Sequence, residues 1–309
     1  MLGILLQTLP FFAVIGLGYS AGRSGVFTED ATAYLTKFVF YFALSAMLFR
    51  FTATLSIREI FDPTFVVAYL AGTAFVYVLA TVIGLTRRRP MVEAAFEAQC
   101  AVIGNVGFLG VPMLALLLGE AAVAPIILVL VVDLTIFGSL IVILINASRE
   151  GRITARTLAV VIGGLARNPM IVSISAGLVW SALRFPIPGP MDDFLELLGG
   201  AATPGALFAI GASLAFKSAE RLSVAGWLSF AKLVLHPAAV AVSALLLFGV
   251  APFPAAVMIA AAALPVAGNV FILAQHYGVA PQRVSATILI STLLSVITVT
   301  AVVAWVRGF

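Results

Sequence analysis

Two asparagines stand inside stretches that carry almost no other polar side chains. Asn105 lies in IGNVGFLGVP, residues 103–112, and Asn269 lies in LPVAGNVFIL, residues 264–273. An asparagine amide offers two donors and an acceptor, enough to grip a carboxylate or a hydroxyl. Each is flanked by residues that interrupt a helix. Gly104, Gly107 and Gly268 let the backbone bend and approach a ligand closely, and Pro112 and Pro265 each remove a backbone donor. A helix broken there exposes the N–H groups of its second half, whose positive dipole end suits an anion. A plainer reading also exists, because Gly and Pro are frequent in membrane helices and Asn can bridge two of them. The matched pair favours a binding site over that reading, since paired breaks in corresponding halves point to one.

Three ionisable residues lie deep in apolar runs: Asp133 in VLVVDLTIF, and Lys232 and His236 in LSFAKLVLH. A charge there is expensive and by default a functional candidate. Asp133 can carry a proton, help to hold Na⁺ or pair with a cation, and Lys232 is the partner to consider first. His236 follows Lys232 by four residues and shares its helix face. Structural ion pairing and an ordinary hydrogen-bonded histidine are the corresponding plain readings. Glu93, Glu97 and Gln99 approach the start of a span, with the two glutamates spaced i, i+4 and expected to face water, as are Gln275 and His276.

Other chemistries lack their residues. No HExxH, GxSxG or GxxxxGK[ST] occurs, so neither an intramembrane enzyme nor an ATP-driven pump is expected. Gly104, Gly107 and Gly110 are spaced GxxGxxG rather than GxGxxG, which argues against a dinucleotide. Cys100 is the single cysteine, and His236 and His276 are too far apart for a helical metal pair. No metal, haem or other cofactor is expected beyond a coupling H⁺ or Na⁺.

The elements that position these residues follow from composition. Of 309 residues, 62% are apolar and 10% charged, against roughly 45–50% and 25% in soluble domains. The mean hydropathy is +1.18. The fold class is an all-α integral membrane protein. Ten segments reach spanning length: 5–22, 33–52, 63–86, 92–118 and 122–146, then 168–185, 194–216, 221–249, 253–277 and 283–306. No Lys or Arg precedes the first, so it is expected to be a retained helix and not a signal peptide. Residues 148–167 form a basic linker with a short interfacial helix.

Loop by loop, the basic residues are lopsided. One side collects Arg23, Arg87, Arg88, Arg89, Arg149, Arg152, Arg156, Arg167, Lys217, Arg221 and Arg283. The other has Arg50, Arg58, Arg184 and Arg307, together with the acidic Asp192, Asp193 and Glu196. The richer side is cytoplasmic by the positive-inside rule, which puts both termini outside. With a net charge of +4 distributed in this way, nucleic acid is not an expected partner. The two Gly-Asn-Val triplets fall in spans four and nine, 164 residues apart. Span nine is the fifth after span four, and five is odd, so the halves 1–152 and 153–309 are expected to be two inverted five-helix repeats.

FVFYFALSAMLF (38–49), GNVGFLGVPMLALLLGE (104–120) and LPVAGNVFILAQHYG (264–278) resemble the auxin efflux carrier family, which includes plant carriers and bacterial permeases of malonate or malate type. The resemblance covers nearly the whole chain. It implies a ten-helix inverted repeat similar to bile acid sodium symporters, with broken helices four and nine crossing at the midplane. Helices one, two, six and seven would be a scaffold, and helices three to five and eight to ten a moving core. It further implies a homodimeric carrier of organic anions in the bacterial inner membrane, working by elevator-like movement. The family carries Leu-Pro in span two where this chain has Leu44-Ser45; Ser45 replaces a kink with a hydroxyl and is a candidate substrate contact. A sodium-coupled symporter and a non-transporting membrane sensor are the alternatives.

Overall fold

The computed structural model describes residues 2–55, 62–150, 152, 154–216 and 222–308. Arg58, Lys217 and Arg221, and one side of the repeat boundary at 152/153, fall outside them. Thirteen helices are described: α1 Leu2–Arg23, α2 Glu29–Thr54, α3 Pro63–Thr86, α4 Met91–Val102, α5 Val106–Leu118, α6 Glu120–Ser148, α7 Ala155–Arg167, α8 Pro169–Ala182, α9 Gly189–Ala215, α10 Leu222–Leu247, α11 Pro252–Ala262, α12 Gly268–Tyr277 and α13 Pro281–Val306. Six of them (α2, α3, α6, α9, α10 and α13) are long and apolar enough to cross a membrane. The protein is an all-helical, multi-pass membrane protein.

Local sequence explains where helices start and stop. Asp62 caps α3, its Oδ1 accepting from the N–H of Thr64 at 2.8 Å and of Phe65 at 3.3 Å, and Pro63 opens the first turn with no donor to leave unpaired. Asn168 caps α8 in the same manner ahead of Pro169. The residue before a proline avoids helical backbone, and α7 and α8 bend by 67° there. The helix expected in the basic linker is α7, closed at its start by reciprocal hydrogen bonds between Thr154 and Thr157. The segments expected as spans four and nine are each two short helices: α4 with α5, and α11 with α12.

Helices without polar side chains at their contacts approach through glycine. α1 lies along α9, where a Cβ on Gly211 would meet the Ile15 carbonyl and one on Gly18 the Phe208 carbonyl. α8 lies along α2 in the same way, with Gly177 against Phe49 and Thr52. At Gly18 and Gly211 the obstructing atoms are backbone, so neither helix can yield cheaply there. Gly211→Leu is expected to cost about 1–3 kcal/mol and lower the melting temperature in detergent. Gly16→Leu, on α1 next to Ile15 but with no atom within 4 Å of its ideal Cβ, is the silent control.

Two ion-pair clusters tie distant segments at their ends. Arg50 of α2 holds Asp192 of α9 through two bonds of 2.6 and 3.1 Å, and Glu196 at 2.9 Å. Arg283 of α13 meets Glu93 at 3.0 Å and Glu97 at 2.8 Å, both on α4, and Arg87 also bonds Glu97. Each cluster joins residues that loop alternation assigns to one face. The second cluster corrects the expectation that Glu97 faces water. Glu97 is 2% exposed and is the shared acceptor of two arginines. Gln99 is buried too, its amide donating to the Phe137 carbonyl.

Candidate functional site at two hydrogen-bonded helix breaks

The break between α4 and α5 lies against the break between α11 and α12. Gly104 and Val266 form a single antiparallel bridge. The N–H of Asn105 donates to the Pro265 carbonyl at 2.8 Å, and the N–H of Ala267 donates to the Ile103 carbonyl at 3.1 Å. Unwound backbone inside apolar surroundings must find partners within the protein. Here each break supplies partners to the other, and two side chains add to them. Ser291 of α13 accepts from the Val266 N–H at 3.2 Å. Lys232 of α10 donates to the Ala262 carbonyl, at the C-terminal end of α11.

The glycines make this fit possible. A Cβ at Gly104 would lie 3.3 Å from both Lys232 Nζ and the Ala261 carbonyl. Gly107 is roofed by Met170 of α8, and Gly110 sits under Leu264. Gly268 differs, because nothing lies within 4 Å of its ideal Cβ and both it and Asn269 are exposed. The N-terminus of α12 therefore opens on free space, whereas that of α5 is packed. Its first-turn N–H groups, Gly268 and Asn269, have no acceptor within the helix.

The side-chain amides of Asn105 and Asn269 form no hydrogen bond among the described residues, although Asn105 is only 6% exposed. Asn105 instead serves through its backbone, its carbonyl accepting from both Leu109 and Gly110 at the wide first turn of α5. Pro265 presents its carbonyl to Asn105, and Pro112 follows the wide turn of α5, half-buried. The Ser45 hydroxyl is engaged within α2, donating to the Phe40 carbonyl at 3.1 Å. Phe40 itself stacks on Phe108 of α5 at 6.1 Å between ring centres.

Lys232 sits beside the breaks, and both it and Asp133 lie on widened helical turns, 231–235 of α10 and 133–137 of α6. Pro237 follows the first of these and cannot donate to the preceding turn, which accommodates the extra residue there. Lys232 does not pair directly with Asp133: among the described residues no ion pair within 4 Å joins them. Asp133 is held instead by the Tyr69 hydroxyl of α3, which donates to Oδ1 at 2.8 Å, while Oδ2 is buried with no hydrogen-bond partner among the described residues. Lys232 Nζ lies 3.1 Å from His236 Nδ1, and His236 Nε2 lies 3.0 Å from the Thr73 hydroxyl. With an ammonium donating to Nδ1, the imidazole is neutral and its Nε2–H donates to Thr73. All of these side chains are buried.

Tyr69 and Thr73 escape a reading that looks for charges and helix breakers. Their one sequence signal is the i, i+4 spacing of two polar side chains in VVAYLAGTAF, which puts both on one face of α3.

The comparison with known proteins decides the family. The sequence model described as membrane transport protein matches residues 4–303, nearly the full chain. The chain belongs to this membrane transport protein family. It is 34% identical over 306 residues to a Rhizobium meliloti protein named "Putative malonate transporter", covering 97% of this chain and 95% of that one. Similarity to the Escherichia coli protein named "Uncharacterized transporter YfdV" is 27% over 94% and 93% of the two chains. Auxin efflux carrier component 5 of Arabidopsis thaliana is 22% identical over 93% of this chain and 92% of its own. As a membrane transport protein with auxin efflux carriers among its relatives, the chain has the kinship that its Gly-Asn stretches suggest. The hydrogen-bonded breaks of this family member are then the natural place to look for cargo.

Proposed function

We propose that the protein is a secondary carrier of a small carboxylate, bound where the two broken spans meet. The observation that carries this reading is the open N-terminus of α12, with Gly268 and Asn269 facing free space while the break behind it is hydrogen-bonded to Ile103 and Asn105. A carboxylate there accepts from the first-turn N–H groups and the Asn269 amide, with Asn105 closing from the opposite break. The malonate named for the Rhizobium relative makes short dicarboxylates the first candidates.

Alternating access follows the same reading. α1, α2, α8 and α9, joined through glycine contacts, form the stationary scaffold, and the helices around the breaks form the moving core of a ten-span inverted repeat. The basic-rich face is cytoplasmic, both termini are outside, the membrane is the bacterial inner membrane, and the carrier is a homodimer. Uptake of radiolabelled malonate and of monocarboxylates into proteoliposomes tests this directly. Accumulation above protein-free vesicles supports the carrier, and binding without uptake would favour a membrane sensor instead.

Asp133 is the coupling residue in this scheme, since its free Oδ2 is a buried acceptor for a proton or cation. Asp133→Asn is therefore expected to flatten the dependence of uptake on the ion gradient, while Tyr69 keeps its bond to the remaining carbonyl oxygen. Uptake with unchanged ion dependence would reduce Asp133 to a structural role.

A further inference from the structure

Half-helix C-termini at a membrane crossing present unpaired carbonyls with a negative dipole end, and in coupled carriers these are where a sodium ion sits. The corresponding place here is the end of α11, and it is filled. Lys232 Nζ donates to the Ala262 carbonyl, rests 3.1 Å from His236 Nδ1, and comes within 3.3 Å of the ideal Cβ position of Gly104. The ammonium is thus lodged between the end of one half-helix and the unwound backbone of the other, with 0% of the lysine exposed. Two of its three donors are used, one on a carbonyl and one on the imidazole.

Among the described residues no anionic side chain contacts Lys232. α11 has no titratable side chain. α13 offers Arg283 alone, engaged with Glu93 and Glu97 of α4. Cys100 of α4 is buried, the Tyr77 hydroxyl of α3 has no hydrogen-bond partner among the described residues, and Tyr69 belongs to Asp133. A buried cation with a carbonyl and a neutral ring as neighbours is costly unless further negative charge compensates it. The dipole end of α11 supplies part of that compensation, and Asp133 adds attraction from beyond contact distance.

We propose that Lys232 is the built-in cation of the crossing. It stands where a sodium ion would bind, and it provides a fixed positive charge behind the substrate carboxylate. Anion binding then needs no sodium. This deepens the carboxylate-carrier reading and rests on it for the substrate's charge, but not for the occupation of the cation position.

The test begins with the unmodified protein and needs no substrate. Purified protein is titrated with NaCl against choline chloride while its melting temperature is followed. The expected result is no sodium-specific shift, because a ligand of the native state would raise stability by mass action. A saturable rise with Na⁺ that persists in Asp133→Asn overturns the proposal. Carboxylate uptake is then measured with sodium replaced by choline, and it should stay within about twofold of its value in sodium. Lys232→Met should weaken carboxylate binding by about 10-fold, the loss expected of a fixed charge that acts without contact. Lys232→Ala should recover stability with propylammonium, and full carboxylate affinity in a folded Lys232→Met protein overturns the role. If no carboxylate binds under any condition, the carrier reading falls, while the sodium titration still decides what occupies the end of α11.

Discussion

Asn269→Ala is expected to fold normally and to lose carboxylate binding and uptake by about 10- to 100-fold. The magnitude is that of a hydrogen bond to a charged acceptor, about 1.5–3 kcal/mol. The folded state should be indifferent to the change, because the Asn269 side chain forms no hydrogen bond among the described residues and is exposed. The N–H groups of Gly268 and Asn269 are retained in the variant, so some affinity should persist. Asn105→Ala removes an amide that is 6% exposed and sits on the packed break, where the backbone bonds to Pro265 and Ala267 remain. It should also lose binding, with the larger deficit at Asn269, which lies on the open side. Thermal-shift titration with malonate, set beside uptake by the same preparations, measures both. Normal binding and uptake in the two variants would remove the substrate from the breaks altogether.

Arg283→Gln is expected to destabilise the protein by about 3–5 kcal/mol, the cost of stripping one partner from a buried ion pair. Arg283 is 7% exposed and Glu97 is 2% exposed, so water cannot take over the lost contact. Arg87 still reaches Glu97 from its other side, which places the effect toward the lower end of that interval. Arg283 also joins α13 to α4, so the variant loses a tie between helices of the two sequence halves. Replacing Arg283 and Glu97 together by leucine should restore much of the stability, because no uncompensated charge is then left at that pair. Denaturation midpoints of the single and double variants check this. Equal midpoints for Arg283→Gln and the unmodified protein would mean that the cluster is solvated in practice.

Constraints that act locally along the chain are legible in the order of residues alone. Apolar length marks the long helices: α3 occupies residues 63–86 as expected, and α13 starts within two residues of its expected position. Gly104, Pro112, Pro265 and Gly268 mark the interruptions, because a missing Cβ or a missing N–H acts on its own turn of helix wherever the segment is packed. The pairing of the Gly-Asn stretches is likewise visible in the bare string, as repetition at a fixed distance.

Partner choice was decided only by the tertiary structure. Asp133 and Lys232 are the obvious pair when charges are counted, yet Asp133 takes Tyr69, 64 residues away, and Lys232 takes His236 and the end of α11. Glu97 carries the i, i+4 pattern of a solvated face, but Arg283 arrives from 186 residues downstream and buries it. Neither outcome has a local signal. The energy of a buried polar group depends on what the rest of the chain brings within hydrogen-bond distance. A helix break is set by its own residues, whereas the question of which break bonds to which, and which charge faces which dipole, is answered only when the helices are packed together.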